Sequence, residues 1–348
     1  MKQPLLVKLG SSLVVDERGE PRRDVLAARA AEIAAVVRGG TPVCVVSSGA
    51  IALGVSRLGG GGGRPRSLPR LQAASALGQS VLQRLWDDAL AVEGIEAAQV
   101  LLTGAEIAER RAYVNVRNAL GALFSAGAVP VVNENDATAT DEISFGDNDM
   151  LAAQVAVLCR ACLLVLLTSV EGVLTAAPGT PGASLIARGD ATRSAALGEG
   201  TAHGRGGMTS KIKAAELASA AGIPAVIASG NAEGVLAGLL AGQSHGTRFE
   251  PQSREHSAFK LWLLFGKQIA ASVTVDARAQ RAVAKQGASL LAVGVASWDR
   301  EFSAGDGVEL LDEQGTPFAR GISSISSGEL QGPRRNLELV HRDRLVLL

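Results

Sequence analysis

Apolar and polar positions fall into alternating blocks along the first 250 residues, and the blocks predict strands and helices in turn. Short apolar runs at Pro4–Val7, Pro42–Val46, Ala97–Leu102, Ala128–Val132, Leu163–Leu167 and Pro224–Ala228 are bounded by Gly, Ser, Asn or Asp and read as buried strands. Between them the spacing turns helical. Arg22–Arg38 puts Leu26, Ala30, Ile33, Ala34 and Val37 on one face and stops at Gly39-Gly40, a C-cap signal. Pro69–Val92 predicts a long helix with Leu71, Ala74, Leu77, Val81 and Leu85 inward. Glu106–Ala126 reads as one helix or two, with Arg110, Arg111, Asn115, Arg117 and Asn118 on a solvated face. Further helices are expected near Ala50, after Asp149, over Ile212–Ala221 and over Asn231–Leu240.

This alternation implies an α/β fold over residues 1–250, a mainly parallel sheet sandwiched by helices. Residues 251–267 read as a polar connector carrying Trp262 and Phe265. From Gln268 the pattern changes. Short strands (Ala271–Val275, Leu291–Val295, Gly307–Leu311, Phe318–Gly321, Leu345–Leu348) surround one helix, Ala277–Gln286, so residues 268–348 are expected to form a separate β-rich domain.

Composition narrows the classes. Hydrophobic residues make up 47% of 348 and aromatics only 3%, so Ala, Val and Leu must build the core. Lys+Arg and Asp+Glu are both 34, which gives no global reason to expect nucleic acid or an anionic membrane as main partner. No apolar run reaches the roughly 18–20 residues of a membrane span, and MKQPLLVKLGSS lacks a cleavage-site pattern; a soluble cytoplasmic protein is expected. Cys44, Cys159 and Cys162 lie in or beside apolar runs and read as small buried hydrophobes. The four histidines show no metal-ligand spacing.

The densest chemistry lies in Val131–Ala153. A strand delivers Asn133, Glu134, Asn135 and Asp136 into a polar turn, and Gly146-Asp147-Asn148-Asp149 then opens an Ala/Leu-rich helix. One Asp or Asn there serves as an N-cap. Two clusters exceed what capping needs and point to a ligand at the C-terminal rim of an open sheet. Other segments suit anions, since Gly lets backbone N–H groups approach and Lys adds charge. They are Lys8-Leu9-Gly10-Ser11-Ser12, Ser47-Ser48-Gly49 before a helix, and Gly204–Lys211 before another. Thr168–Pro178 reads as a strand end running into a Gly turn. Gly59–Gly63 with Arg64 and Arg66 reads as a loop, either a flap or a linker.

In their order, VKLGSS (7–12), VSSGAIA (46–52), NENDATAT (133–140), GDNDMLAA (146–153), LLTSVEGVLTAAP (166–178) and GRGGMTSKIKAA (204–215) resemble the branch of the amino acid kinase family that phosphorylates glutamate. VTVD (273–276), GASLLAVGV (287–295) and GDGVEL (305–310) are similar to that branch's C-terminal PUA domain. The resemblance implies ATP-dependent phosphorylation of the L-glutamate side-chain carboxylate to L-glutamyl 5-phosphate, the first step of proline biosynthesis. It implies that Lys8 and Lys211 neutralise the phosphoryl group in flight and that Asp149 orients them. Ser48, Asp136 and Asn148 would bind glutamate. Thr168, Ser169, Arg205, Gly206, Gly207, Met208, Thr209 and Ser210, with the two lysines, would hold ATP. Mg²⁺ would ride on the nucleotide phosphates, touched through water by Asp147 or Asp149. A homo-oligomer, proline as feedback inhibitor and hand-off of the product to the next proline-pathway enzyme are also implied.

The chain departs from the pattern at Ser169 and Ala177, where the family often carries Asp, and after Gly328, where it looks shortened. Two other readings stay open. One is a sister kinase acting on aspartate, N-acetylglutamate, carbamate or UMP on the same fold. The other is an RNA-binding protein acting through the C-terminal domain; against it, residues 268–348 carry nine Lys/Arg and ten Asp/Glu, no basic excess.

Overall fold

A computed structural model of the chain describes every residue except 1, 59–64, 66, 109, 139–147, 195–206, 253–259, 261–262, 265–266, 268 and 334–336. Expectations about the Gly59–Gly63 loop, Asp147, Arg205, Gly206, Trp262 and Phe265 therefore lie outside the described residues. The chain divides into two compact units, Met1–Glu255 and His256–Leu348.

The first unit runs β1 (Leu5–Leu9), α1 (Ser11–Val14), α2 (Arg23–Arg38), β2 (Val43–Ser47), α3 (Ala50–Val55), α4 (Leu68–Val92), β3 (Ala97–Leu102), α5 (Gly104–Ala108), α6 (Arg110–Ser125), β4 (Val129–Glu134), α7 (Asn148–Cys159), β5 (Leu163–Thr168), α8 (Met208–Ala220), β6 (Ala225–Ser229), α9 (Val235–Leu240) and β7 (Thr247–Phe249). Its seven-stranded sheet has the order β3-β4-β2-β1-β5-β6-β7. All pairings are parallel except that of β7 with β6. Every residue of β1, β2, β4 and β5 is buried, as expected where helices cover both faces. That is why these strands read as continuous apolar runs rather than alternating ones.

Chain order carries β2 to one side of β1 and β5 to the other. A crevice at such a reversal, outside the strands' C-terminal ends, is where open α/β sheets bind ligands. Hydrogen bonds continue past the strands at this rim: Ser48 N donates to Leu9 O at 3.1 Å, Asn135 N to Leu102 O at 2.9 Å and Gly230 N to Thr168 O at 2.8 Å.

Helix α4 is drawn unusually close. A Cβ on Gly54 of α3 would stand 1.8 Å from the Ala74 carbonyl oxygen, and one on Gly78 of α4 would stand 1.7 Å from that of Ala50. Only glycines permit this backbone-to-backbone contact.

Four local differences from the sequence reading have physical reasons. Strand β1 runs on through Lys8 and Leu9, so Lys8 is a strand residue held under the covering helices. On α4, Leu77 is 41% exposed, while Ser75 and Gln79 are buried at 3% and 8%. The apolar stripe is interrupted there by polar residues that find partners inside. Helix α8 begins at Met208, four residues earlier than expected, which places Thr209, Ser210 and Lys211 in its first turn. Strand β7 is three residues long, too short for a hydrophobic period to show.

The second unit contains β8 (Ile269–Val275), α10 (Ala277–Gln286), β9 (Leu290–Leu291), β10 (Val295–Trp298), β11 (Gly307–Leu311), β12 (Pro317–Ser323) and β13 (Glu338–Leu347). They form a six-stranded mixed sheet, β10-β8-β11-β12-β13-β9, around a core that includes Val273, Val283, Val308, Leu310 and Leu339. Helix α10 is capped by Asp276, whose side chain accepts from Ala279 N at 2.7 Å, and closes on Gly287 in the left-handed region at φ 61°. The last strand spans ten residues, longer than the short run Leu345–Leu348 suggested.

Cys44 is buried, and Cys159 and Cys162 are partly so. Burial pushes the Cys159 thiol up to about 12, the behaviour of an inert structural cysteine. Among the described residues, no helix is long and apolar enough to cross a membrane.

Candidate active site

Three elements meet at the C-terminal end of β1. Strand β1 supplies Lys8, the first turn of α7 supplies Asp149, and the first turn of α8 supplies Lys211. Lys8 Nζ lies 2.6 Å from Asp149 Oδ1, and Lys211 Nζ lies 3.0 Å from Asp149 Oδ2. The three residues are 4%, 1% and 6% exposed. Burial alone raises the Asp149 carboxyl pKa, but the charges and hydrogen bonds of the two lysines outweigh it and hold the carboxyl below its ordinary value. Asp149 is therefore ionised and the trio carries a net positive charge. Desolvating two ammonium groups around one carboxylate is costly, so the arrangement suits an anion that completes the neutralisation.

Helix N-termini add to this. Helix α8 has Gly207 as N-cap, which brings no side-chain hydrogen bond to the first turn. Its backbone N–H groups and Lys211 share one end, the arrangement that receives phosphates.

A second, uncharged cluster lies one residue away. Asn148 Oδ1 accepts from Glu134 N at 3.3 Å, while its Nδ2 donates to Asn133 Oδ1 at 2.9 Å and to Ser48 Oγ at 3.1 Å. Ser48 stands at the end of β2, followed by Gly49 at φ +113°, where a Cβ would press on Val14 at 3.0 Å. That glycine turns the chain from strand to helix. Asp136, 4% exposed just past β4, accepts from Ser75 Oγ at 2.8 Å.

The structure thus joins Lys8, Asp149 and Lys211, and it joins Asn148 to Ser48, as their sequence motifs suggest. Thr168 ends β5 at the same rim, and Ser169 beside it is exposed. Gly207, Met208 and Ser210 are partly buried and Thr209 is exposed at the start of α8.

Sequence reading missed the contribution of α4. Ser75 bonds Asp136, Gln79 Oε1 accepts from Asn133 Nδ2 at 2.7 Å, and Trp86 Nε1 donates to Ser47 Oγ at 2.9 Å. The signal was there: Ser75 and Gln79 sit one turn apart on a helix face otherwise filled with Leu, Ala and Gly. Asn133 was read as part of a polar turn, yet it belongs to β4 and is 1% exposed.

Two lysines and one carboxylate thus meet at the switch point of a parallel sheet, beside a cluster of amides and hydroxyls. The profile of the amino acid kinase family matches residues 3–229, and that of the PUA domain matches residues 271–338. The chain belongs to the amino acid kinase family, whose members include ATP-dependent kinases, and carries a C-terminal PUA domain. Its relatives include the glutamate 5-kinase of Novosphingobium aromaticivorans, 43% identical over 363 aligned residues covering 99% of this chain and 96% of that protein. The glutamate 5-kinase of Burkholderia pseudomallei is 41% identical, covering 99% of this chain and 97% of that protein. A solved UMP kinase from Bacillus anthracis aligns at 15% identity with TM-score 0.48, over 72% of this chain and 97% of that chain.

Proposed function

We propose that this chain is a glutamate 5-kinase, transferring the γ-phosphoryl group of ATP to the side-chain carboxylate of L-glutamate. The observation that carries the reading is the Lys8–Asp149–Lys211 trio placed one residue from the Asn148–Ser48 cluster. Near-full-length identity to proteins named glutamate 5-kinase supports the choice of acid.

The chemistry fits the residues. A carboxylate nucleophile has an ordinary pKa near ~4, so it arrives ionised and needs no general base. The difficulty is electrostatic: an anion must approach phosphates while charge moves onto the leaving oxygen. In this reading Lys8 and Lys211 face the phosphoryl oxygens, and Asp149 keeps both ammonium groups aimed rather than spread apart. The N-terminus of α8, with Gly207–Ser210, cradles the nucleotide phosphates, and Thr168 and Ser169 border the nucleotide; Arg205 and Gly206 belong to the same motif. Ser48 and Asn148 take a carboxylate of the acceptor, and Asp136 takes its ammonium.

Mg²⁺ bound to the nucleotide phosphates would supply further charge neutralisation. Both Asp149 oxygens already face ammonium groups, so this residue fits an outer, water-mediated position rather than direct ligation. A cytoplasmic location, homo-oligomerisation, inhibition by proline and delivery of the labile acyl phosphate to the next pathway enzyme belong to the same reading.

The test is ADP release with Mg-ATP across L-glutamate, L-aspartate, N-acetyl-L-glutamate and carbamate, with hydroxylamine trapping the acyl phosphate. Hydroxamate formed with glutamate alone is expected. Turnover with another acid and none with glutamate would move the chain to a sister activity.

A further inference from the structure

We propose that Gln79 of α4 is a positioning residue for the acceptor. It supplies the acceptor that holds the Asn133 amide, and through it the Asn148 amide, in the orientation the β4 backbone requires, and so secures which groups Ser48 and Asn148 present. The identity of the acceptor rests on the glutamate kinase reading; the geometry does not.

One group in this network has no choice. A backbone N–H can only donate, so the Asn148 atom 3.3 Å from Glu134 N must be its carbonyl oxygen. This turns the Asn148 NH₂ toward Asn133 Oδ1 and Ser48 Oγ. Asn133 must then direct its own NH₂ inward, where it needs an acceptor. Gln79 Oε1 is that acceptor, at 2.7 Å. The order of the chain is therefore locked by β4 backbone at one end and by α4 at the other.

Gln79 carries a cost that points to this role. Its Nε2 is buried and has no hydrogen-bond partner among the described residues. An unpaired buried donor is unfavourable, and a Met or Leu of similar bulk would avoid it. What those residues would lack is the acceptor for Asn133. The direction matters for a ligand. Because Ser48 Oγ accepts from Asn148, its own proton is left to donate, as a carboxylate requires. Ser75, one turn before Gln79, holds Asp136 from the same helix face. The close glycine contact between α3 and α4 keeps that face near the strand ends.

The test pairs Gln79→Met, which keeps volume and loses the acceptor, with Gln79→Glu, which keeps it. Steady-state kinetics and NMR exchange of the Asn133 and Asn148 side-chain amide protons are measured on the full chain. Gln79→Met is expected to raise the glutamate KM about tenfold, the scale of one lost hydrogen bond, with the ATP KM within about twofold. Its Asn133 and Asn148 amide protons should exchange faster, and Gln79→Glu should restore most of both effects. An unchanged glutamate KM in Gln79→Met, or a Glu variant no better than the Met variant, overturns the proposal. If Gln79→Met does not fold, Gln79→Glu decides: a glutamate KM near wild type upholds the role and a shift of about tenfold overturns it. If the wild type does not phosphorylate glutamate, the functional reading fails by itself. Amide exchange then judges Gln79 alone, and unchanged exchange overturns the proposal.

Discussion

Asn148 and Asp149 are consecutive residues at the start of α7, and they serve two differently built corners. Asp149 sits between two ammonium groups at 2.6 and 3.0 Å. Asn148 sits among a hydroxyl, another amide and a backbone N–H, all neutral. In the proposed reading the charged corner meets the charge that develops and moves during transfer. In the same reading the amides around Asn148 fix direction, and the Asp136 carboxylate past β4 takes the acceptor's ammonium. One helix start keeps the two in register, because neighbouring residues at a helix N-terminus cannot shift independently.

The comparison can be broken at several points. The largest effect is expected for Lys8→Ala, a fall in kcat of about 10²–10³ with the glutamate KM little changed, checked by ADP release as glutamate is varied at saturating Mg-ATP. A loss confined to KM would move Lys8 to the binding corner. Next is Asp136→Ala, expected to raise the glutamate KM by about tenfold or more through loss of a charge-assisted contact to the ammonium group. A large kcat loss at constant KM would place Asp136 with the lysines instead.

The third test uses pH. The folded-state pKa of Asp149 is depressed, so its ionised form stabilises the fold above the ordinary carboxylate value of about 3.8 and that contribution is lost as pH falls through the lower folded value. The gap in melting temperature between wild type and Asp149→Asn should therefore be steady at neutral pH and shrink below about pH 4. A gap that is constant down to acid would mean that the carboxylate charge contributes nothing. The smallest effect is a control. Asp276→Ala removes the α10 cap and should cost about 1 kcal/mol in denaturant unfolding of the β-rich unit, leaving kcat unchanged.

Much of this was legible in the sequence for physical reasons. Strands buried on both faces appear as unbroken apolar runs, and four of the motifs end such runs, at β1, β2, β4 and β5. Lys8, Asp149 and Lys211 lie on three separate elements, so their contact is a matter of topology; only the resemblance to a family brought them together in advance. What escaped was written in single residues. Gln79 and Ser75 look like ordinary polar positions on a long amphipathic helix unless the Leu, Ala and Gly that share their face are read as inward. The close approach of α3 and α4 at Gly54 and Gly78 is likewise invisible in hydrophobic spacing. The start of α8 was misplaced because Thr209 and Ser210 read as loop, although helix first turns accept such residues freely.

The division of labour between the corners is tested most directly by measuring Lys211→Ala and Asp136→Ala side by side in glutamate-dependent hydroxamate formation. Lys211→Ala is expected to lose kcat at an unchanged glutamate KM, and Asp136→Ala to raise the glutamate KM with most of its kcat retained. A Lys211→Ala enzyme turning over at the wild-type rate, or both variants failing in the same parameter, would contradict that division.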